Sequence, residues 1–458
     1  MRSPLGWALG LATLLGATSF GASAARANGR FPNADHLVVD PGDPSHIVVR
    51  ATYGIVQTFD AGATWVWLCE PAVGYGGTDD PAISVTEAGT VLVGIRDGVA
   101  TSFDDGCVWN VDASALAGLR IVDLATDVAD PSTAIGISGD DADGNPRVIV
   151  AETTDDGMSW TALGPELDTD LVPETIDAAP SMPSRLYVSA IAGAQTDPVI
   201  ERSSDRGQTW TRVAIDISGA DRTFISAISP TDPDTLYLRV PGELTDRLFI
   251  STDAAETWTL IAELEGEMLG FAAEPNGDRV AIGIKQGGVH VASTTDHVFS
   301  RIADTGVRCL TWSASGLYAC GNEGQDGFTV ARSIDGGVTF TPLYHLLDIG
   351  LLTCPAGTDT GDTCPALYPA LLEQLGNTEG SGGAGGAAAG SSSSGAPTPP
   401  PIEDGDGCGC ATPATPASRS AGIALAAALL LLRRRRASRR STGDALRAES
   451  TGPRSGSA

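Results

Sequence analysis

The sequence is poor in the side chains that most catalytic and cofactor-binding motifs need. Aromatic residues make up 5% of the chain, and there are only five histidines. None of these histidines stands in a nucleophile motif, no Cys-x-x-Cys pair accompanies a histidine cluster, and no phosphate loop or dinucleotide fingerprint is present. These absences argue against a serine or cysteine hydrolase, a zinc site and a nucleotide site, so no cofactor is predicted.

Positive charge is also scarce. The chain has 28 Lys and Arg residues against 57 Asp and Glu residues, which gives a formal net charge of −29 at pH 7. Such a surface repels nucleic acid phosphates and anionic lipid headgroups, so a nucleic-acid partner is not predicted. The acidity is typical of a solvated surface that keeps a secreted protein soluble.

The first residues have the composition of a secretory signal. Residues 1–27 contain an early Arg2, a short apolar run and a small-residue ending at Ala25 and Ala27. This pattern predicts a signal peptide cut after Ala27, with the "ASA" at 22–24 as a competing site.

The last residues lack any long apolar run. Residues 377–418 form a Gly/Ser/Pro-rich tether, residues 419–440 combine a short apolar helix with an arginine cluster, and residues 441–458 form a polar tail. Twelve apolar residues span roughly 18 Å as a helix, short of a hydrocarbon core of about 30 Å. We expect a temporary anchor held by the arginines on the cytoplasmic side, and no other membrane contact.

The order of Cys408 and Cys410, a short apolar helix and an arginine cluster resembles the MYXO-CTERM sorting tag of myxobacterial surface proteins. This resemblance implies recognition at the cysteine motif by export and sorting machinery, processing of the tag, and delivery to the cell envelope or cell surface. The alternative is a small disulfide or two idle thiols in a tether.

An eight-residue repeat, the box, recurs at intervals of 40 to 51 residues. Its clear copies are "TFDAGATW" at 58–65, "SFDDGCVW" at 102–109, "TTDDGMSW" at 153–160, "SSDRGQTW" at 203–210, "STDAAETW" at 251–258 and "SIDGGVTF" at 333–340. A decayed copy begins at Ser293. Each interval also carries four short strand patterns separated by turn residues. Repeats of this period with four strands each predict an all-β fold, a single seven-bladed β-propeller over residues 28–345.

The box residues have structural rather than catalytic roles in this prediction. The Asp and the Ser or Thr hydrogen-bond the turn before the last strand of each blade, and the Gly supplies the backbone freedom that the turn needs. The aromatic residue packs between neighbouring sheets. The predicted structural residues are Asp60, Trp65, Asp104, Trp109, Asp155, Trp160, Asp205, Trp210, Asp253, Trp258, Asp335 and Phe340.

These boxes resemble the Asp-box (BNR) propellers, a group that includes sialidases, sortilin-type receptors, xyloglucanases and a photosystem II assembly factor. The resemblance covers about residues 33–345. It implies the propeller fold, and it implies that the boxes lie away from the binding face, whose loops would carry specificity. Ala255 replaces Gly in the fifth box, and Phe340 replaces Trp in the last one.

The sialidase resemblance supplies the alternative function, a glycoside hydrolase. A sialidase-like site would need an arginine triad, a Tyr nucleophile paired with Glu, and an Asp acid/base; sialidases have six blades, whereas seven are counted here. The candidates by position are Arg30 in "GRFP", Arg96, Arg239, Arg308, Tyr344 and Tyr318. A xyloglucanase-like site would need paired acidic residues such as Asp79 and Asp80 in an aromatic cleft, and those enzymes use two propellers.

Eight cysteines fit an oxidising compartment. The spacing predicts a disulfide Cys354–Cys364 that closes a C-terminal cap over residues 346–376, which ends in a short helix. It also predicts Cys309–Cys320 across a hairpin, which leaves Cys69–Cys107 as the third pair.

One segment loosely matches a calcium loop. Asp141, Asp143 and Asn145 alternate in "GDDADGNPR", but the distal Glu and the Gly that should follow are missing. An Asp-Gly hairpin turn is the favoured interpretation, so no metal is predicted.

The sequence therefore predicts an exported, cell-surface propeller. We expect a non-catalytic binding or scaffold module whose partner is an extracellular protein or polysaccharide.

Overall fold

The computed structural model describes residues 32–193 and 196–376, which form seven antiparallel four-stranded sheets arranged as the blades of a β-propeller. The prediction of an all-β, seven-bladed propeller is confirmed. The segments 1–27, 377–418, 419–440 and 441–458 lie outside the described residues, as do Arg30, Cys408 and Cys410.

The four strands of each blade follow one another along the chain from the innermost to the outermost. Blade 1 contains β1 (Ala34–Val39), β2 (Ile47–Ala51), β3 (Gly54–Thr58) and β4 (Trp65–Leu68), and blade 2 contains β5 (Ile83–Val85), β6 (Val91–Ile95), β7 (Gly98–Ser102) and β8 (Asn110–Val111). Blade 3 contains β9 (Leu119–Thr126), β10 (Ala134–Asp141), β11 (Val150–Thr153) and β12 (Thr161–Ala162), and blade 4 contains β13 (Val172–Ala179), β14 (Met182–Ala192), β15 (Asp197–Ser203) and β16 (Thr211–Ala214). Blade 5 contains β17 (Phe224–Ile228), β18 (Leu236–Val240), β19 (Thr245–Ser251) and β20 (Thr259–Glu265), and blade 6 contains β21 (Met268–Ala273), β22 (Arg279–Ile284), β23 (Gly288–Ser293) and β24 (Ser300–Ala303). Blade 7 contains β25 (Cys309–Ser313), β26 (Gly316–Cys320), β27 (Val330–Ser333) and β28 (Thr341–Tyr344). The remaining elements are α1 (Glu70–Val73), α2 (Glu323–Asp326), β29 (Ile349–Leu351) and α3 (Asp359–Gln374).

The innermost strands surround a central channel. Each of them contacts the innermost strand of the next blade, and β25 of blade 7 contacts β1 of blade 1, which completes the ring. No strand is exchanged at this junction, because β1 pairs with β2 of its own blade. The ring is therefore closed by packing between complete blades, and the segment after blade 7 adds a fifth strand to the sheet of blade 1.

The hydrophobic core lies between the blades. One cluster joins Val48, Ile55 and Leu68 of blade 1 to Val91 and Val93 of blade 2, and similar clusters fill the other junctions. The second strands are the most buried because neighbouring blades cover both of their faces, which explains continuous apolar runs such as that of β6.

The box forms the turn between the third and fourth strands of a blade. In blade 1 the Thr58 hydroxyl donates to Asp60 (2.7 Å) and accepts the Gly62 N–H (3.0 Å). Asp60 in turn accepts the N–H (2.8 Å) and the hydroxyl (2.7 Å) of Thr64. Gly62 has φ +97°, a conformation that favours glycine. The repeat thus encodes a turn whose polar groups are satisfied by its own side chains.

Each box also contacts the preceding blade. The Trp65 indole N–H donates to the carbonyl of Leu343 in blade 7 (2.8 Å), and its ring lies 5.0 Å from that of Tyr344. The second box also contacts its preceding blade, since Gly106 lies close against the Leu68 side chain of blade 1. Box side chains therefore lie in the junctions between blades rather than around a ligand.

The segment after blade 7, here called the latch (residues 346–376), runs back over blades 1 and 2. Its strand β29 pairs in parallel with β4, the outermost strand of blade 1. Helix α3 packs against α1, and the side chain of Thr358 accepts the Gly361 N–H at the helix start. The predicted C-terminal helix is present, but it covers the side of the ring at the closure point.

The disulfides of the latch differ from the prediction. Cys69 pairs with Cys364, and Cys107 pairs with Cys354, each with Cα atoms 5.4 Å apart. The expected pairs Cys354–Cys364 and Cys69–Cys107 are wrong, because the latch lies across two blades and brings each of its cysteines to a partner more than 240 residues away. The predicted hairpin disulfide Cys309–Cys320 is present.

Within the described residues, no helix has both the length and the apolar character that a bilayer-spanning segment needs.

Candidate binding face and channel

The propeller has two chemically different faces. The box face carries the box turns and the turns between first and second strands, which hydrogen-bond each other, as when Ala61 N–H donates to the Ser45 carbonyl (2.9 Å). The opposite face carries the turns between second and third strands and the connections between blades. Boxes are internally satisfied, so the less constrained connections of the opposite face are the candidate recognition surface.

Hydrogen bonds hold the carboxylate of the last box in its ionised form. In the last box the hydroxyl and the N–H of Thr339 and the hydroxyl of Ser333 donate to Asp335, which lowers the pKa of Asp335 to about 2. Such a carboxylate is a poor proton donor or acceptor at neutral pH.

Five ion pairs, the mouth pairs, lie near the ends of the inner strands on the opposite face. They are Asp35–Arg308 (2.7 Å), Arg120–Asp140 (2.6 Å), Glu174–Arg222 (2.6 Å), Arg239–Asp246 (2.9 Å) and Glu267–Lys285 (2.7 Å). The hydrogen bond and charge of Lys285, with contributions from Arg308 and Arg239, hold the pKa of Glu267 below its ordinary value. The channel mouth is therefore rich in hydrogen-bonding groups whose charges already cancel in pairs.

Two carboxyl groups and a histidine lie inside the channel. Asp123 accepts the Ile176 N–H of the next blade (2.9 Å), and burial raises the pKa of Asp123 to about 6. Burial and the charge of the nearby Asp123 also raise the pKa of Asp177 above its ordinary value. Burial, with the charge of Arg50, lowers the pKa of His36 to about 3, so this imidazole is neutral at physiological pH. This cluster of Asp123, Asp177 and His36 was not predicted. The two aspartates lie in the middle of predicted inner strands, and that position could have indicated them.

The arginines of the hypothetical sialidase site do not form an unpaired triad. Arg239 and Arg308 both lie at the channel mouth, but each is held by its own carboxylate. Arg96 lies at blade 2 and binds Asp79 through two hydrogen bonds of 2.6 and 2.9 Å. Asp79 thus neutralises Arg96, and the backbone carbonyl of its neighbour Asp80 accepts a hydrogen bond from Arg50 (3.3 Å).

The two tyrosines named by position as candidate nucleophiles are both buried. The Tyr344 hydroxyl lies 3.1 Å from the Tyr53 hydroxyl in the junction between blades 7 and 1, and burial raises the pKa of Tyr344. The Tyr318 hydroxyl lies 2.9 Å from Ser315 Oγ, and its ring is also buried. Strand position alone could not show that both rings point into the core.

The loosely calcium-like segment forms a hairpin turn. Asp141 accepts the N–H groups of Asp143 (3.0 Å) and Asn145 (2.9 Å), and it also accepts the Asn145 side-chain amide. These bonds use the Asp141 carboxylate inside the turn. Among the residues that the structure describes, no group of three or more His, Cys, Asp or Glu side chains is placed to hold a metal ion.

Among the described residues, the box face carries a cavity and a groove. The cavity, of about 350 Å³, opens at the box-face end of the channel between the inner strands of blades 1, 2 and 3, and it includes His36, Thr126 and Thr311. The groove, of about 430 Å³, lies between blades 6 and 7 and includes Trp312 and Arg279. Specificity was predicted for the opposite face, and the groove was not predicted.

Comparison with known proteins relates the chain to other propellers by fold. No protein-family model matches the sequence, and no curated protein matches it. An ancestral GH74 enzyme superposes with a TM-score of 0.50 at 13% identity, covering 69% of this chain and 49% of that one. The GH74 xyloglucanase from Xanthomonas campestris gives a TM-score of 0.35 at 15% identity, covering 68% of this chain and 64% of that one. YCF48 bound to a D1 peptide gives a TM-score of 0.36 at 15% identity, covering 50% and 68%. The chain spans about half the length of the ancestral GH74 enzyme, and the likeness to it is one of fold: this is a seven-bladed β-propeller similar in architecture to glycoside hydrolase and other propellers.

Proposed function

We propose that the protein is a non-catalytic binding module whose ligand contacts the opposite face of the propeller around the channel mouth. The observation that carries this proposal is the set of mouth pairs, in which each basic side chain is matched by a carboxylate. Paired groups keep spare hydrogen-bonding positions, since a guanidinium has five N–H donors and a carboxylate four lone-pair sites. Such a surface suits polar recognition of an uncharged polysaccharide or of a protein, while the net charge of −29 disfavours polyanions.

We infer the location of this proposed module from the sequence of its termini. A signal peptide at 1–27 and a MYXO-CTERM-like tag with Cys408 and Cys410 support export and delivery to the cell surface, and the latch disulfides are consistent with an oxidising compartment. Replacement of Cys408 and Cys410 by Ala should leave uncleaved precursor in the inner membrane. Unchanged surface delivery of this variant would refute the sorting hypothesis.

The binding proposal is tested with the full chain, produced through an oxidising secretion route and applied to a glycan array and to isolated envelope proteins. We expect retention on one of them without cleavage products. Arg222→Gln at the mouth should weaken the interaction at least fivefold, because it breaks the pair with Glu174. Arg301→Gln is the matched control, since Arg301 forms an exposed pair with Asp304 on the outermost strand of blade 6. Equal effects of the two substitutions would contradict binding at the mouth.

A glycoside hydrolase is the second candidate, and the Asp123–Asp177 pair is the observation that favours it. The pKa values of both groups are raised, that of Asp177 partly by the charge of Asp123, and a pair of neighbouring carboxyl groups is what acid/base glycoside hydrolysis requires. If the array yields cleavage products and both Asp123→Asn and Asp177→Asn abolish them, this function replaces the binding proposal. Cleavage that survives both substitutions would place the chemistry elsewhere.

A further inference from the structure

The groove on the box face between blades 6 and 7 owes its shape to a short turn. In blade 7 only Ala314 and Ser315 connect the first strand to the second, whereas seven residues (40–46) make the same connection in blade 1. The short turn leaves a groove of about 430 Å³, within the range of about 300–1,000 Å³ that is typical of ligand sites. The Cys309–Cys320 disulfide joins the far end of the same hairpin, which limits its movement.

One wall of the groove is flat. The Arg279 guanidinium stacks on the Trp312 ring, with its central carbon 4.9 Å from the ring centroid. Glu274 holds the guanidinium from the side through two hydrogen bonds of 2.8 and 2.7 Å. The wall therefore combines an aromatic plane and a guanidinium plane, and the Arg279–Glu274 pair carries no net charge.

The wall also keeps hydrogen-bond donors for a ligand. Within the described residues, the Trp312 indole N–H donates no hydrogen bond, and Arg279 uses Nε and Nη2 for Glu274. A Cβ on Gly336 would lie 2.4 Å from Arg279 Nη1, so glycine at this position leaves room for that nitrogen at the groove.

Hydroxyl groups and one exposed aliphatic side chain complete the rim. Ser313 and Ser315 lie 2.8 Å apart through their hydroxyl oxygens, and Asn276 lies on the blade 6 side. Ile334 is 83% exposed at the edge of the groove. The lining thus combines uncharged polar groups, one ion pair and apolar side chains, with one planar surface.

We propose that this groove is a binding site for a short neutral saccharide. The apolar C–H face of a sugar ring packs against a flat aromatic surface, while its hydroxyl groups pair with neighbouring amide, hydroxyl and guanidinium groups. An anionic ligand is disfavoured because Glu274 already neutralises the single cation in the lining. A purely apolar ligand would displace water from the serine hydroxyls and from Asn276 without offering them a hydrogen bond in return. The site lies on the face away from the mouth pairs and does not depend on the proposed function.

Isothermal titration of the full chain with neutral tetrasaccharides (cellotetraose, maltotetraose and mannotetraose) tests the site, with tetragalacturonic acid as the anionic comparator. We expect at least one neutral tetrasaccharide to bind, and Trp312→Ala to weaken its affinity at least tenfold. Because Trp312 is half-buried, Ala314→Arg is a second variant: it adds a long side chain at an exposed position on the lip of the groove and should weaken binding similarly.

Phe224→Ala is the matched control. Phe224 also lies under guanidinium groups, those of Arg222 and Arg239 at 5.2 and 5.7 Å, but it lies at the channel mouth. Its loss should leave tetrasaccharide binding unchanged. If Phe224→Ala weakens the binding and both groove variants leave it unchanged, the groove site is overturned and binding at the mouth is supported. No neutral binding, or tighter binding of tetragalacturonic acid, would also overturn it and would leave the proposed function standing.

Discussion

The latch disulfides should stabilise the propeller much more than the hairpin disulfide does. Each latch disulfide connects the end of the last blade to the first two blades, with sequence separations of 295 and 247 residues. Cys309–Cys320 joins residues only 11 apart. Since a cross-link acts largely by restricting the unfolded chain, the longer loops should matter more.

The chain-entropy relation gives the size of the effect. A single disulfide that closes a loop of 250–300 residues contributes about 5–6 kcal/mol at 25 °C, and one that closes 11 residues contributes about 3 kcal/mol. The two latch bonds share most of their loop, so with one in place the second closes only about 50 residues and adds about 4 kcal/mol. Loss of both should therefore cost about 9–10 kcal/mol, an upper value because the denatured chain is not a random coil.

Urea unfolding of three double variants and one quadruple variant under oxidising conditions measures what each disulfide contributes to the free energy of unfolding. Cys69→Ala/Cys364→Ala and Cys107→Ala/Cys354→Ala should each lower the free energy of unfolding more than Cys309→Ala/Cys320→Ala. Removal of all four latch cysteines should cost clearly more than either latch pair alone and leave a barely stable ring. A hairpin variant that is as destabilised as the latch variants would refute the argument from loop length.

Three further predictions concern turns and the channel. Gly157→Ala should lower the free energy of unfolding by about 2–4 kcal/mol, because φ is +86° and the new Cβ would lie 2.5 Å from a Leu92 methyl group. Gly144→Ala is the matched control: φ is +78° and no atom lies within 4 Å of the new Cβ, so the same urea assay should show a loss of only about 1–2 kcal/mol. Asp155→Ala removes the acceptor for the hydroxyl groups of Thr153 and Ser159 in the third box and should cost about 1–3 kcal/mol in thermal melts, with full-strength binding in the fraction that stays folded. The folded-state pKa of Asp123 is raised to about 6, so the native state holds its proton between about pH 4 and 6 and loses stability as pH rises through that window. Asp123→Asn should therefore stabilise the protein at pH 8 by at most about 3 kcal/mol and leave it unchanged at pH 4, and a larger gain at pH 4 than at pH 8 would contradict this assignment.

The fold could be predicted from the sequence because most blades repeat the same locally hydrogen-bonded turn. Asp60 and Asp205 stand in the same hydrogen-bonded turn, although they lie in blades 1 and 4. Local interactions of this kind leave a periodic pattern in the sequence, and periodicity at about 45 residues with four strands per interval is specific to few architectures. Even the departure at Ala255 is accommodated, since its φ is +72° and its N–H still donates to Ser251.

The disulfides could not be predicted in the same way, because they depend on where the chain runs after the repeats end. The spacing of Cys354 and Cys364 is compatible with a local loop, but α3 points Cys364 towards Cys69. Strand β29 lies outside the repeats, so no periodic pattern in the sequence indicates that it pairs with blade 1. Cys309 and Cys320 were predictable because their contact is part of a hairpin.

The candidate site could be predicted only in part. Arginines and acidic residues around a channel mouth follow from the order of strands, but which of them neutralise one another depends on side-chain positions across blades, as for Asp35 and Arg308, 273 residues apart. The groove at Trp312 lies beside a two-residue turn, whereas blades 1, 3 and 5 have seven residues at the same place, and such a difference becomes meaningful only when the blades are aligned in space.

The two faces of the ring are thus constrained to different degrees. The box face has turns fixed by their own side chains, and it carries the groove beside Trp312 and the cavity between the inner strands of blades 1, 2 and 3. The opposite face has connections of variable length, and its charges cancel in pairs around the channel. A ligand held by one blade junction would contact the groove, whereas a ligand held by several blades would contact the mouth. The Trp312→Ala and Arg222→Gln variants distinguish these two sites, since each changes one site and leaves the other intact.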